Sequence, residues 1–256
     1  MPTPFTHLKI AQCLLVDESL SPDYHALLRR QLPAFQLGSI VADARVASGM
    51  GREETHFYAY GTPISERPWR RMLRQHSELC DPRDETHFAF IAGYVAHLAS
   101  DEAWALKMVR PQFWGRDWPG VSREDKFFAL HLILTVMDER DERGLESWQA
   151  DSLARCEPDG WLPFLPDAVL RGWRDMVAEQ IQPGGDSLTL EIFGRRLRRD
   201  SADIRAALDD DACLDRCLWR HVPPALLAEV ERQIYTFTRD QLAVYLTGTM
   251  PVFTTV

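Results

Sequence analysis

Hydrophobic residues recur at intervals of three and four along most of the chain, whereas strict alternation of hydrophobic and polar residues is almost absent. The first pattern is typical of amphipathic helices and the second of half-buried strands. We therefore predict an all-α fold with about nine to eleven helices. The helical pattern is clearest in seven stretches: LLRRQLPAF, WRRMLRQHSEL, FAFIAGYVAHLASDEAWALKMV, KFFALHLILTVMDER, AVLRGWRDMVAEQI, LEIFGRRLRR and LLAEVERQIYTFTRDQLAVYL.

Several predicted helices begin with residues that cap the first turn or fix its backbone. One stretch between helices, CEPDGWLPFLPD over 156–167, contains three prolines and a glycine and is the best candidate for a boundary. Its aromatic and leucine side chains should nevertheless pack. We therefore predict a single all-helical domain over 1–256, with an N-terminal bundle over 1–140 and a C-terminal helical portion over 167–256.

The composition of the chain indicates which binding partners and which cellular compartment are to be expected. The chain has 256 residues, 45% of them hydrophobic, and a formal net charge of −9, so it lacks the basic surface of a protein that binds nucleic-acid duplexes. The five cysteines are odd in number and scattered, which favours reduced thiols. No signal leader is recognisable, and the longest apolar stretch, at 127–137, is about half the length of a membrane span. We expect a soluble, cytoplasmic protein without a transmembrane segment.

The segment GYVAHLASDEAW, residues 93–104, is the first candidate for chemistry. Gly93, His97 and Asp101 follow one another at four-residue steps and so share one face of a helix. Such a His and Asp pair can bind a metal ion, or it can be a buried histidine paired with a carboxylate of its own helix. Because glycine is unfavourable inside a helix, Gly93 indicates the close approach of another backbone or of a ligand.

Three further residues stand in contexts that suit metal ligands. His7 lies in TPFTHLKIA on the first predicted helix, Asp43 ends the apolar stretch LGSIVADAR, and His56 lies among aromatic residues in REETHFYAY. Each residue taken singly is more typical of a structural role. Together with His97 and Asp101 they form an ordered set of histidines and carboxylates.

The pieces THLKIA, GSIVADA, THF and GYVAHLASDEAW, in this order, resemble the zinc-dependent phospholipase C family, which shares its all-helical fold with the single-strand-specific zinc nucleases. The resemblance covers about residues 3–140. It implies that Asp43, His56, His97 and Asp101 hold one zinc ion, with Asp101 bridging to a second ion held also by His7 and the extreme N-terminus. It further implies a hydrolase in which zinc-activated water attacks a phosphoester.

The chain departs from the family at the third zinc. Where the family has a histidine and later a His and carboxylate pair, this sequence has Lys107, His131 and Thr135, so a third zinc is not expected. In one interpretation Lys107 replaces the lost positive charge and His131 becomes a general acid or hydrogen-bond donor, which makes Asp43, His131 and Lys107 the candidate catalytic residues. In the other, the site is a structural metal centre or no centre. The tryptophan that begins secreted relatives is also absent, which weakens the assignment of His7.

The remaining histidines and one acid are assigned no chemistry. His25, His76 and His87 have polar neighbours and are expected at the surface, although His87 repeats the ETHF of residues 54–57 and is the alternative to His56. Asp138 is expected to belong to the solvated run DERDER, with metal ligation left open.

Three other features have simpler structural explanations. Cys213, Cys217 and His221 follow at four-residue steps, but no further ligand lies nearby, so packing is favoured over a metal site. The arginine-rich stretch over 193–211 is expected to be a solvated helix face, with anion recruitment as the alternative. The aromatic residues of RPQFWGRDWPG, over 110–120, are expected to pack, with an apolar rim for lipid as the alternative. The sequence therefore predicts a zinc-dependent phosphoric-ester hydrolase acting on a small phosphoester or a lipid head group, and as alternative a non-catalytic metal-binding or interaction protein.

Overall fold

The computed structural model describes residues 2–249, which are 72% helical and contain no strand. The predicted all-α class is confirmed. The described residues contain more helices than predicted. The difference comes from four helices of only four to seven residues, which are too short for periodicity to reveal. Within the described residues the α-helices are α1 (Pro4–Leu14), α2 (Pro22–Arg30), α3 (Leu32–Ile40), α4 (Arg45–Ser48), α5 (Arg52–His56), α6 (Pro68–Gln75), α7 (Glu85–Trp104), α8 (Arg123–Arg143), α9 (Trp148–Ala154), α10 (Asp167–Gln180), α11 (Thr189–Leu197), α12 (Ser201–Asp209), α13 (Asp211–Leu214) and α14 (Pro224–Thr249).

Tighter and wider helical turns join some of these helices. Val41–Ala44 and Ser77–Cys80 are 3-10 turns, of which the first links α3 to α4. Ala105–Trp114 continues α7 as a π-helical segment, and Asp215–Trp219 does the same after α13. Such irregular turns change the direction in which successive side chains point.

Helix α7 forms the centre of the fold. Its first turn is capped by Asp84, whose carboxylate accepts a hydrogen bond of 2.8 Å from the backbone N–H of His87. Every residue from His87 to Trp104 is buried, as expected of a helix surrounded by other helices. Its main neighbours are α3 and α14. The polar side chains of α7 are therefore enclosed as well, and need partners inside the protein.

Two glycines allow α3 and α7 to cross with their backbones in contact. A Cβ atom at Gly93 would collide with the carbonyl oxygen of Phe35, and one at Gly38 with the carbonyl oxygen of Phe90. The close approach that Gly93 indicated is therefore that of a backbone. This crossing brings the end of α3, followed by Asp43, against the middle of α7.

The apolar core consists of two clusters whose membership does not follow the chain order. The first surrounds α7 and includes Trp161 and Leu165 of the proline-rich stretch, which packs as predicted, together with residues near the end of α14. The second joins the end of α7, the π-helical segment and α8 to α11, α12 and the first half of α14. None of the helices within residues 2–249 combines the length and apolarity that crossing a bilayer requires.

Candidate metal centre

Five side chains from four parts of the chain converge beside the middle of α7. His7 comes from α1, Asp43 from the 3-10 turn after α3, His56 from the end of α5, and His97 and Asp101 from α7. His7, His56, His97 and Asp101 are at most 2% exposed, and Asp43 is 8% exposed. All five residues predicted as metal ligands therefore lie in one buried cluster, the His/Asp cluster.

Three separations between donor atoms match those expected around one metal ion. The Nε2 atom of His56 lies 3.4 Å from Oδ1 of Asp43 and 3.3 Å from Oδ2 of Asp101, and the Nε2 atom of His97 lies 3.6 Å from the same Asp101 oxygen. Ligands about 2.0–2.2 Å from a tetrahedral zinc ion lie about 3.3–3.5 Å from one another. These three donor pairs are thus already close to the separation expected around zinc.

The donors also form two overlapping triads. In one, atoms of His7, His97 and Asp101 lie within 4.8 Å of one another, and in the other those of Asp43, His56 and His97 do. Both triads use His97, whose single free ring nitrogen can bind one ion at a time. A second ion would consequently depend on His7, Asp101 and a donor from the N-terminus, and Met1 lies outside the described residues.

Four atoms of the His/Asp cluster that could bind a metal ion have no hydrogen-bond partner. Nε2 of His7, His56 and His97 and Oδ1 of Asp101 are buried and unpartnered. Leaving a buried polar atom without a partner costs about 1–3 kcal/mol, so four such atoms in one cluster is an unusual arrangement. A cation bound at either triad would satisfy the donors of that triad, so the side chains present fit a metal ion.

The opposite ring nitrogens are held by neighbouring groups, which fixes the tautomers. Nδ1 of His97 donates to the carbonyl oxygen of Ser39 at 2.8 Å. Ser100 Oγ donates to the carbonyl oxygen of His97, so it accepts from Nδ1 of His7 at 3.0 Å. Nδ1 of His56 lies 2.9 Å from Oγ1 of Thr55. Nε2 of His7 and His97 therefore carries the lone pair, as metal-binding histidines require.

The charges in the cluster suit a cation. Burial is the largest influence on the pKa of His7 and of His56 and lowers both to about 3, so these imidazoles are neutral. Burial also opposes ionisation of Asp43 and Asp101, but contacts with His56 and His97 outweigh it and lower the pKa of both carboxyls. For His97, the neighbouring carboxylate of Asp101 outweighs burial and raises the pKa. A cation bound there would compete with a proton for Nε2 of His97.

Arg52, which sequence reasoning missed, reaches the edge of the cluster. Its Nη2 atom lies 3.2 Å from Oδ2 of Asp101 and donates to the hydroxyl of Tyr58 at 2.7 Å. The guanidinium also lies 4.7 Å from the ring centre of Tyr58 and 4.4 Å from that of Tyr60. Arg52 stands one helical turn before His56 on α5, and this spacing was the signal in the sequence that could have identified it.

The three candidate catalytic residues do not lie together. Asp43 and His131 both line a cavity of about 400 Å³, whereas Lys107 is exposed on the π-helical segment and does not line it. Nδ1 of His131 donates to the carbonyl oxygen of Phe127 at 2.7 Å, and burial lowers the pKa of His131 to about 4. This neutral ring presents Nε2 as an acceptor, so a role as acid or donor requires a protonation that burial disfavours. Thr135 binds the carbonyl oxygen of His131 and supplies no carboxylate.

Two expectations about polar residues were wrong. Asp138 is buried rather than solvated, because Thr3 and Thr189 donate hydrogen bonds to its carboxyl group. His87 is buried as well, with Nε2 2.9 Å from the carbonyl oxygen of Trp161, which packs over the start of α7.

No metal-binding group within residues 2–249 includes Cys213, Cys217 or His221, which follow one another at four-residue steps. The two thiols lie 3.6 Å apart, and the ring of His221 stacks on Trp118 at 4.2 Å. His25 and His76 are partly buried. Among the aromatic residues over 110–120, Phe113 and Trp118 pack as expected, whereas Trp114 is 50% exposed.

Comparisons with protein-family models, curated protein sequences and solved structures gave no match. The chemistry of the site therefore has to be inferred from its own side chains.

Proposed function

We propose that the chain is a zinc-dependent phosphoric-ester hydrolase, similar in mechanism to the phospholipase C family that its motifs resemble. The observation that carries the proposal is the set of buried, unpartnered donor atoms of His7, His56, His97 and Asp101 beside the Asp43 carboxylate. Mixed histidine and carboxylate ligation is common to hydrolytic zinc sites. Asp43, His56, His97 and Asp101 would hold one ion, and His7 with Asp101 could contribute to a second.

A zinc ion bound there supplies a Lewis acid and makes water nucleophilic near neutral pH. Asp43 belongs to the cluster and also lines the cavity, so its carboxylate is the group placed to orient water and to accept a proton from it. Arg52 also lines the cavity, and its Nε and Nη1 atoms are buried without partners. These N–H groups can donate to a phosphoryl oxygen and stabilise charge that develops there, the role that the sequence suggested for Lys107.

The test combines metal content with turnover. Purified wild-type protein should contain one or two zinc ions per chain by inductively coupled plasma mass spectrometry and hydrolyse bis(4-nitrophenyl) phosphate or 4-nitrophenyl phosphate in a zinc-dependent manner. His97→Ala should lose the metal, and Asp101→Asn should lose turnover by more than about 100-fold. His221→Ala, a histidine outside the cluster, is the matched control and should keep both. Absence of zinc after incubation with the metal would reject the proposal.

The depth of the cluster favours a second candidate function, a non-catalytic metal centre that stabilises the fold. Four of the five donors are at most 2% exposed, as in closed structural sites. In that case zinc removal would lower thermal stability, with circular dichroism reporting the loss, while no phosphoester would be hydrolysed by the fully loaded protein. Zinc-dependent turnover that disappears in a folded Asp101→Asn variant would exclude this alternative.

A further inference from the structure

The cavity that Asp43 lines is mostly apolar. Its volume of about 400 Å³ lies within the range of about 300–1,000 Å³ that is typical of small-molecule sites. The apolar lining comes from α8, α10 and α11, elements far apart in the sequence. Its apolar residues include Phe127, Leu130, Leu134, Trp173, Met176 and Phe193.

Positive charge is concentrated where this cavity meets the His/Asp cluster. Arg45, Arg52 and Arg196 line the cavity, and Asp43 is its only carboxylate among the described residues. Arg196 is exposed at the mouth of the cavity and lies close enough to Asp43, Arg45 and Arg52 for their charges to act on it. In a chain of net charge −9, this grouping is a local positive centre.

Two of these cations are uncompensated. Arg52 pairs with Asp101, but Arg45 and Arg196 form no ion pair with any carboxylate of the described residues, and Nε of Arg45 is buried without a partner. A phosphomonoester carries close to two negative charges at neutral pH, since its second pKa is about 6. The charge of such an anion therefore matches that of the two free guanidinium groups.

The cavity also has an exposed apolar rim. Val46, Trp114 and Phe127 line it and are 46%, 50% and 43% exposed. Large hydrophobic side chains left in water beside a cavity are typical of a surface that a ligand covers. The rim therefore extends the apolar lining toward solvent.

We propose that this cavity binds an anionic amphiphile, a phosphomonoester whose phosphate is held by Arg45, Arg52 and Arg196 and whose apolar body lies among the residues of α8, α10 and α11. The choice of phosphate over another anion rests on the proposed function. Binding itself depends on the arginines and the apolar wall, and is expected with or without zinc.

The probe is dodecyl phosphate, used below its micelle concentration and titrated calorimetrically into chelator-treated wild type and into His97→Ala. It should bind at least about 100-fold more tightly than inorganic phosphate, with shorter alkyl phosphates weaker by up to about fourfold per methylene lost. Dodecyltrimethylammonium, with the same chain and the opposite charge, should bind far more weakly. Arg45→Gln and Arg196→Gln should each weaken binding about tenfold or more, since each removes a charge-assisted hydrogen bond.

Matched controls separate this site from general surface effects. Arg195→Gln changes an exposed neighbour of Arg196 that does not line the cavity, and should leave binding unchanged. Trp114→Ser should weaken binding, whereas Trp148→Ser, which changes a 40% exposed tryptophan outside the cavity, should not. Equal affinity for the cationic amphiphile, no dependence on chain length, or full affinity in Arg196→Gln would overturn the proposal.

Failure of this proposal and failure of the proposed function give different results. Arginine-dependent binding of dodecyl phosphate by a protein that neither holds zinc nor hydrolyses phosphoesters would reject the hydrolase and support the ligand site. Zinc-dependent hydrolysis of water-soluble phosphoesters, without binding of dodecyl phosphate, would support the hydrolase and reject the ligand site.

Discussion

The tetrapeptide Glu-Thr-His-Phe occurs twice in the chain, and its two histidines have different surroundings. His56, in residues 54–57, ends α5 and directs Nε2 at Asp43 and Asp101, with no hydrogen-bond partner. His87, in residues 85–88, lies in the first turn of α7, and its Nε2 meets the carbonyl oxygen of Trp161. Both rings are buried. Identical local sequence therefore gives one candidate ligand and one ordinary core histidine, and the difference comes from what lies opposite.

The largest expected effect is on metal binding, in the pair His56→Ala and His87→Ala. His56→Ala removes a donor that no neighbour replaces, so zinc affinity should fall by more than about 100-fold. His87→Ala removes a hydrogen bond and some packing, so stability should fall by about 1–3 kcal/mol while zinc content stays unchanged. Competition with a chromogenic zinc chelator measures the first effect and urea unfolding the second.

The opposite result would exchange the roles of the two histidines. If His87→Ala lost zinc while His56→Ala retained it, the His/Asp cluster would not be the metal centre. Equal loss in both variants would indicate that zinc content follows stability, and comparison at matched unfolding midpoints would test that explanation.

A second, smaller effect concerns the crossing of α3 and α7 beside the His/Asp cluster. Gly93→Ala forces a methyl group against the carbonyl oxygen of Phe35 and should lower the free energy of unfolding by about 2–4 kcal/mol. Gly172→Ala is the matched control, because Gly172 lies inside α10 and a Cβ atom there would have no neighbour within 4 Å. This substitution should stabilise the protein by about 0.5–1 kcal/mol. Thermal unfolding followed by circular dichroism gives both values.

Zinc affinity distinguishes local from global damage at Gly93. The carbonyl of Ser39, which accepts from His97, lies at this crossing, so a shift of α3 should weaken zinc binding as well as stability. An alanine at Gly93 that left both quantities unchanged would contradict the close backbone contact.

The candidate metal-binding residues could be recognised in the sequence from two patterns, the spacing of residues along one helix and the order of motifs along the chain. Four-residue spacing on a strongly apolar helix placed His97 and Asp101 on one face, and the order of the other motifs added His7, Asp43 and His56. The candidate ligand set could be assembled only through the resemblance to a family, because nothing in the spacing between α1, α5 and α7 shows that their side chains meet.

The residues that were missed or misjudged depend on long-range packing. Arg52 resembles any charged residue at the start of a short helix until Tyr58, Tyr60 and Asp101 are placed around it. Asp138 stands in an acidic and basic run, yet its partner Thr3 is 135 positions away. Burial of a polar side chain is decided by elements that the local sequence does not contain.

The smallest expected effect contrasts two buried aspartates through pH. Asp101 faces imidazoles that keep its pKa low, whereas burial raises the pKa of Asp138 to about 7, despite the hydrogen bonds from Thr3 and Thr189. A carboxyl group whose pKa is higher in the folded than in the unfolded state stabilises the protein below its ordinary pKa, and this stabilisation is lost as pH rises through the folded value. Wild-type stability should therefore fall by about 2–3 kcal/mol between pH 5 and pH 8 from this group. Asp138→Asn cannot ionise and should remove that decrease, which urea unfolding at the two pH values would reveal as a flatter profile. If wild type and Asp138→Asn lost the same stability over this range, Asp138 would already be ionised at pH 5, and its burial would resemble that of Asp101.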